Sequence, residues 1–525
     1  VGDFLNKGNA GFQEIRKGTY VDKSGLIAFI NNTIGTTSKL TCVSRPRRFG
    51  KSFAAKMLCA YYDKSCDSRS LFEDLEIAKT PDFLEHLNKY DVIYVDMTTL
   101  IGECECVKDS VKYMQNVIIE DLSKAYPQVE VSPILSKMLL NIKEATGNKF
   151  IFIIDEWDAL FREAKDEEET QKEYIQFLRV TFKGSRTAQT IEAAYITGIL
   201  PIKKYGTQSA MTDFLEYTML EPEPLEQYVG FTEQEVQELC SKSELKFSDV
   251  QHWYDGYNIG NNVHVYNPKS VMEALTRGKI RNYWTKTETY EALKIYIDMN
   301  FDGLKETIVQ MLGGAHCIVN TIKFQNDMTN VKSRDDVLTL LVHLGYLAYD
   351  ADEKKVYIPN EEIRQEFISV VEDGSRKELA KLIKTSDRLL AATLEGDEEL
   401  VAETIEAAHL AGCAPGFYNN EQALRSVIRF AYISCVDEFL RIEELSSGKG
   451  YADVVYLPKK GSDLPIMVVE LKWNKTAAGA IEQIKERKYP QVFEDYGSNI
   501  LLVGINYDEK NKKHTCVIEE YSRIK

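Results

Sequence analysis

The sequence predicts an α/β protein with a parallel sheet in its first part, a mostly helical middle and a second α/β domain at its C-terminal end. Three observations predict this. Short apolar runs alternate with longer helical stretches over about the first two hundred residues, the rhythm of strand–helix–strand units. Helical periodicity then dominates from about Arg281 to Ala411. After the break at Gly412-Cys413-Ala414-Pro415-Gly416 the order returns to helix, strand, strand, helix, strand. A chain of 525 residues also exceeds what one hydrophobic core spans. The expected divisions are 1–215, 216–411 and 412–525.

In chain order, strands are expected at 40–43, 92–95, 150–154 and 193–196, with a helix from about Ser52 to Tyr62. Their continuous apolar runs suit strands covered by helices on both faces. Glu221-Pro222-Glu223-Pro224 breaks regular structure, and Thr232 reads as a helix N-cap with Glu235 completing a capping box. A hairpin is expected between Tyr346 and Pro359 around Asp350-Ala351-Asp352-Glu353, which permits a winged-helix module in the middle region. Further strands are expected at 451–456 and 465–472, joined through a turn containing Pro458 and Gly461.

The composition, 44% hydrophobic and 28% charged, fits a globular protein. No run approaches the ~18 consecutive apolar residues of a membrane span, so no membrane partner is expected. The first residues lack a basic segment followed by an apolar one, and a cytoplasmic location is expected. The ten cysteines are scattered; Cys104 and Cys106, the closest pair, have no second pair to complete a zinc site. The seven histidines show no ligand spacing. A net charge of −17 argues against a general nucleic-acid coat, so any contact with nucleic acid must come from a local basic patch.

Arg45-Pro46-Arg47-Arg48-Phe49-Gly50-Lys51-Ser52 follows a strand and opens a helix. Backbone N–H groups and the positive end of the helix dipole at such a junction bind phosphate. Lys51 is expected to reach the terminal phosphates of ATP, and the Ser52 hydroxyl to ligate Mg²⁺. The usual pattern has a glycine where this chain has Arg45, so the match is incomplete as a pattern. A second element supports it: the strand at 150–154 delivers Asp155-Glu156 at its C-terminal end, where ligands of such sheets bind. Asp155 is expected to hold Mg²⁺ through water, and Glu156 to polarise the attacking water.

Glu470 and Lys472 are two apart on a strand, hence on one face and roughly 6.6 Å apart at about 3.3 Å per residue. An antiparallel partner brings Asp453 beside Glu470. Two carboxylates offer hard ligands for Mg²⁺ or Mn²⁺, and the lysine can position or deprotonate a water or neutralise phosphoryl oxygens. In a chain that is 28% charged, the same three residues also fit ordinary solvated surface. Lys472, Lys475, Lys485, Arg487 and Lys488 are the local basic residues near this set.

The loop Arg45–Ser52 resembles that of the bacterial and archaeal AAA-ATPase-like family, whose members commonly carry a C-terminal PD-(D/E)XK nuclease-like domain. The resemblance extends to Tyr20-Val21-Asp22-Lys23-Ser24, Thr197-Gly198-Ile199, Trp253-Tyr254-Asp255-Gly256-Tyr257, Tyr266-Asn267-Pro268 and Leu344-Gly345-Tyr346-Leu347. Near the C-terminus it takes in Gly448-Lys449-Gly450-Tyr451-Ala452-Asp453, Val469-Glu470-Leu471-Lys472 and the helix Gln483 to Tyr489. It implies a P-loop ATPase domain and a restriction-endonuclease-like α/β domain. Arg45, Arg47, Arg48, Phe49, Gly50, Lys51 and Ser52 are then the nucleotide loop, and Thr197 a sensor facing the γ-phosphate. Gln483 would support the second site, Tyr489 would lie near it, and Glu421 would add a metal ligand. Arg186, before the fourth strand, is a candidate arginine finger.

The expected function is ATP binding and hydrolysis joined to metal-dependent cleavage of DNA or RNA, in a chain free to form homo-oligomers. The alternative is a nucleotide-dependent sensor or scaffold whose last domain binds nucleic acid or protein without cutting.

Overall fold

The computed structural model describes residues 2–164, 167–205, 208–209, 211–260, 262–284, 293–295, 297, 301–328, 331–373, 377–412, 428, 431–432, 435–446, 451–459, 462–487, 493 and 499–521. The chain divides into two compact units, Val1–Thr289 with Ile318–Ile363, and Tyr290–Cys317 with Arg364–Lys525. The region 216–411 contributes to both.

The first unit is built on five parallel strands, β1 (Leu40–Ser44), β2 (Asp91–Asp96), β3 (Phe150–Asp155), β4 (Ile191–Gly198) and β5 (Leu215–Tyr217). Their order is β2-β3-β4-β1-β5. Every position of β3 is buried because both sheet faces are covered. Phe150, Phe152 and Ile154 join the core formed with the helices Ser110–Ala125, Leu135–Thr146 and Glu168–Lys183. Ile151 and Ile153 point the other way, where the helix Lys51–Tyr62 packs. The fifth strand is half-exposed and carries no apolar run, which is why its sequence does not announce it.

Parallel register lines up the strand ends that matter. Asp96 pairs with Asp155, Asp155 with Thr197, and Thr197 with Val43, so β2, β3, β4 and the loop after β1 meet at one edge.

Beyond this sheet lie the helices Glu233–Ser241, Phe247–Tyr254 and Pro268–Arg277, and a three-stranded antiparallel sheet of Phe231–Thr232, Val263–Tyr266 and Tyr257–Ile259. Thr232 and Glu235 form the expected capping box. The expected hairpin is present as Ala348–Asp350 paired with Lys355–Tyr357.

The second unit carries β6 (Phe439–Ser446), β7 (Tyr451–Pro458), β8 (Ile466–Trp473), β9 (Ile500–Asp508) and β10 (Lys513–Tyr521), paired in that order. Only β8 and β9 are parallel, with the helix Ala477–Glu486 between them in sequence. Met467, Val469 and Leu471 face the helices Lys377–Glu395 and Glu398–Gly412 through Leu389, Ala392, Val401 and Ile405. Val455, Val468 and Leu502 face Ile481 and Ile484 on the other side. A Cβ on Gly504 would stand 2.4 Å from the Ala477 carbonyl oxygen, so the helix approaches β9 more closely than any side chain there permits. No helix among the described residues is long and apolar enough to cross a membrane. The described cysteines are free thiols.

Candidate functional site

The loop after β1 turns through two left-handed residues, Arg48 (φ 70°) and Gly50 (φ 91°), before the helix begins at Lys51. Gly50 stands at the N-cap, so the first helical N–H groups are left for a ligand. Lys51 is almost fully buried. Its Nζ donates to the Pro46 carbonyl at 3.0 Å and lies 3.6 Å from Glu156 Oε1. Burial pushes this ammonium pKa down, opposed by Glu156, Asp158 and Asp155. Burial pushes the Asp155 carboxyl up to about 6, against the Ser52 hydroxyl that donates to it. A cavity of about 360 Å³ opens over the loop. Arg48, Gly50, Lys51, Ser52 and Glu156 line one part, and Tyr20, Met57, Tyr228, Phe231 and Met272 give it apolar walls.

Several residues outside the sheet hold this loop. Arg48 Nη1 donates to the carbonyls of Tyr283 and Trp284 at 3.2 and 3.1 Å. Phe49 is buried edge-on to Tyr257 at 5.4 Å, and the Tyr257 hydroxyl donates to the Gly345 carbonyl. Gly345 ends a helix at φ 85°, and a Cβ there would lie 2.7 Å from Pro46 Cβ and 3.0 Å from Trp284. Gly345→Ala therefore combines a left-handed penalty of about 1–2 kcal/mol with a push on the residue whose carbonyl holds Lys51. Lower thermal stability and weaker nucleotide binding are both expected; unchanged nucleotide affinity, read by fluorescence titration, would disconnect this brace from the loop.

Two expected residues have other work, and a third stands elsewhere. Arg45 is fully buried, and its Nη1 donates to the carbonyls of Ser44, Tyr217 and Thr218 at 2.9, 3.1 and 3.1 Å. Its Nη2 reaches the Leu225 carbonyl at 3.3 Å. The guanidinium thus ties β1 to β5, and the expectation that Arg45 is one of the nucleotide-binding residues is corrected. Thr197 Oγ1 donates to the Val43 carbonyl at 3.0 Å inside the sheet, so its hydroxyl is occupied and does not face the cavity as a sensor. Arg186 precedes the N-terminal end of β4, while the loop lies at the strands' C-terminal ends, so it stands at the wrong edge for a finger within this chain. Arg47 is half-buried beside the loop.

Arg162 is the residue the sequence reading missed. Its nearly buried guanidinium donates to Glu156 Oε2 at 2.5 Å and to Asp158 Oδ2 at 3.2 Å. Asp158 Oδ2 also accepts from the N–H groups of Ile199 and Leu200 at 3.1 and 2.8 Å. Glu156 itself is left-handed at φ 53°, a costly conformation for a non-glycine residue that its ionic partners hold in place. The available signal was the i,i+4 spacing of Asp158 and Arg162 right after the acidic pair.

In the second unit, β7 and β8 are antiparallel with Val454 opposite Val469, so Asp453 and Glu470 fall next along the register. All three expected groups are buried. Asp453 Oδ2 accepts the Leu471 N–H at 2.8 Å. Lys472 Nζ donates to Glu470 Oε1 at 3.3 Å and to Gln483 Oε1, and Gln483 Nε2 donates to the same Glu470 oxygen. Glu470 Oε2 is buried without a hydrogen-bond partner. Burial first, and then Asp453, push the Glu470 carboxyl up to about 7, with Lys472 and Arg487 opposing. The four side chains therefore meet, and an unsatisfied carboxylate oxygen beside Asp453 fits a divalent cation held by Asp453 and Glu470. Of the basic residues near it, Lys472 is buried and engaged, Lys485 pairs with Glu519 at 2.5 Å, and Lys475 is exposed. Glu421, Lys488, Tyr489 and Gly448-Lys449-Gly450 lie outside the described residues.

Comparison with known proteins matches two stretches of the chain to family models. Residues 7–207 match the AAA-ATPase-like family, described as "Predicted AAA-ATPase", and residues 419–516 match the PD-(D/E)XK nuclease superfamily. No curated protein matches the chain. Among solved structures, it is similar to the Aeropyrum pernix ORC2 protein in its ADPNP–ADP complexes, at 13% identity over 70% of this chain and 98% of that one. The TM-score is 0.29, too loose a superposition to bear on function. A parallel sheet with a phosphate-type loop, followed by a mixed sheet carrying Asp453, Glu470 and Lys472, thus has its families: the chain joins an AAA-ATPase-like domain to a PD-(D/E)XK nuclease superfamily domain.

Proposed function

We propose that the chain binds and hydrolyses ATP with Mg²⁺ at the loop Arg48–Ser52, and that its last domain cleaves phosphodiester bonds of DNA or RNA with a divalent metal. One observation carries the cleavage reading: the unpartnered, buried Glu470 oxygen beside Asp453, with Lys472 fixed at the same carboxylate. Asp453 and Glu470 would hold Mg²⁺ or Mn²⁺, which supplies Lewis acidity and an acidified water. Lys472, positioned by Gln483, neutralises charge on the phosphate. At the nucleotide site, Ser52 and Asp155 would hold Mg²⁺, Lys51 the terminal phosphates, and the aromatic and methionine walls the base. The same reading divides the chain at 215/216 and 411/412 and makes it a cytoplasmic protein that forms a homo-oligomer.

Glu156 has the role of polarising water, so Glu156→Gln is expected to keep nucleotide affinity and lose most turnover. Its release from Lys51 and Arg162 is part of that prediction. ADP production measured against wild type tests it; full turnover by the variant removes Glu156 from the reaction.

A second reading has its own support. The net charge of −17 favours a nucleotide-dependent sensor or scaffold whose last domain binds nucleic acid or protein without cutting it. Plasmid cleavage with Mg²⁺ and Mn²⁺ separates the two. Equal cleavage by wild type, Asp453→Ala and Lys472→Ala would identify a contaminant and favour the scaffold.

A further inference from the structure

Folding gathers another set of ligand-bearing side chains that no sequence spacing reveals. Glu233 opens the helix Glu233–Ser241, Asp255 follows the helix Phe247–Tyr254, and His264 lies on the strand Val263–Tyr266. Their ligand atoms all lie within 4.8 Å of one another, the one such grouping of His, Cys and acidic side chains among the described residues. His264 Nδ1 stands 3.1 and 3.0 Å from the two Asp255 oxygens. Gln251 Nε2 donates to Glu233 Oε2 at 3.2 Å.

A second, independent observation points into the same place. Tyr266 lies two residues beyond His264 and so on the same strand face. It is fully buried, its hydroxyl is aimed at the Asp255 carboxylate without closing to a regular hydrogen bond, and Asp255 and then Glu233 are its main charged neighbours. Two carboxylates, an imidazole nitrogen and a buried phenol hydroxyl aimed at one of the carboxylates thus converge at the edge of a small sheet.

We propose that Glu233, Asp255 and His264 form a binding site for a divalent transition-metal ion of the Zn²⁺ class, with water completing its coordination. An imidazole and two carboxylates are a ligand set this ion accepts, at about 2.0–2.2 Å each. Tetrahedral ligands at that range stand about 3.3 Å apart. Asp255 and His264 already have that spacing, and Glu233 reaches it by turning its flexible side chain. His264 would offer Nδ1 as the lone-pair nitrogen and keep its proton on Nε2. Gln251 and the Tyr266 hydroxyl then orient the carboxylates from behind. The ion staples a helix start to the ribbon Tyr257–Tyr266, whose neighbours Phe231 and Pro268 line the cavity above the phosphate loop. Its role is structural support of that wall.

The test uses the full chain, stripped with a chelator and free of nucleotide, so that the Ser52–Asp155 site lacks its phosphate ligands, with Asp453→Ala and Glu470→Ala introduced to silence the candidate metal site of the last domain. About one equivalent of Zn²⁺ is expected by calorimetry, and Co²⁺ should give the visible bands of a low-coordinate site. His264→Ala or Glu233→Gln on this background should weaken Zn²⁺ binding beyond the ~10–100-fold that loss of an outer partner costs. Zn²⁺ should raise the thermal midpoint of the background protein but not of either variant. Metal-free circular dichroism separates ligand loss from unfolding, and Glu233→Gln keeps a side chain that can still hydrogen-bond Gln251. No bound Zn²⁺ on the background protein, or variants that bind it as tightly as the background protein, overturns the proposal and leaves His264 and Asp255 a simple hydrogen-bonded pair.

Discussion

Asp453→Ala and Glu470→Gln will each lower Mn²⁺-dependent plasmid cleavage by roughly 10²–10³-fold or more, the range expected when a preorganised charge-stabilising group is lost. The reasoning begins with burial. Glu470 is 2% exposed, and one of its oxygens has no partner. An orphaned carboxylate oxygen costs stability unless something cationic meets it. Lys472 and Gln483 both bind the other oxygen, so neither relieves this one. The pH dependence follows with a definite sign. A carboxyl raised from 4.5 to about 7 holds its proton in the folded state after the unfolded chain has released it. Metal-free stability from this group is therefore full below 4.5 and falls as pH climbs to about 7. A cation needs the ionised form, so Mn²⁺ affinity should rise as pH passes through about 7 and then level off. Calorimetric titrations on either side of that value check it, with Glu470→Gln as control. An equal slope in the control would place the titrating group elsewhere.

The parallel sheet was legible because four of its strands are built on apolar runs, as burial on both faces requires. Both acidic ends were legible for the same reason: Asp155 and Glu470 terminate or interrupt such runs, where a charge stands out. The fifth strand was not, since Leu215–Tyr217 is a short, half-exposed edge without a pattern. The ribbon around Asn258 and His264 was readable in principle. It alternates, and its turn has left-handed Gly260 and Asn262, but it lies in a stretch read as mostly helical.

The misplaced side chains share one cause. Arg45 and Thr197 were judged by position in a motif, and motif position fixes the backbone before it fixes where a long or hydroxylated side chain finds partners. Arg45 finds four carbonyls behind the loop, and Thr197 finds one inside the sheet. Arg162 shows the reverse. It belongs to no motif, yet it holds Glu156 and Asp158 because a short helix turns it back across the acidic pair. The Arg45 and Thr197 contacts depend on chain folding between distant segments, which sequence spacing does not encode, whereas Arg162 and Asp158 are four apart, a spacing the sequence does carry.

Lys51→Met should lose ATP affinity by about 10–100-fold, from the ~1.5–3 kcal/mol of a charge-assisted hydrogen bond, while keeping the fold. In the present arrangement Lys51 is an ammonium buried beside Glu156, Asp155 and Asp158, with burial pressing toward its neutral form. A triphosphate would supply the counter-charge this position asks for, so most of the effect belongs to the bound state. In the nucleotide-free protein the methionine removes a desolvated charge and fills similar volume, and Glu156 retains Arg162 as a partner. The thermal midpoint should stay within about 4 °C of wild type, the shift for roughly 1 kcal/mol in a domain of this size. ATP should then raise the midpoint of wild type and leave that of the variant nearly unchanged. If ATP stabilises both proteins equally, Lys51 does not touch the phosphates, and the cavity above the loop serves some other ligand.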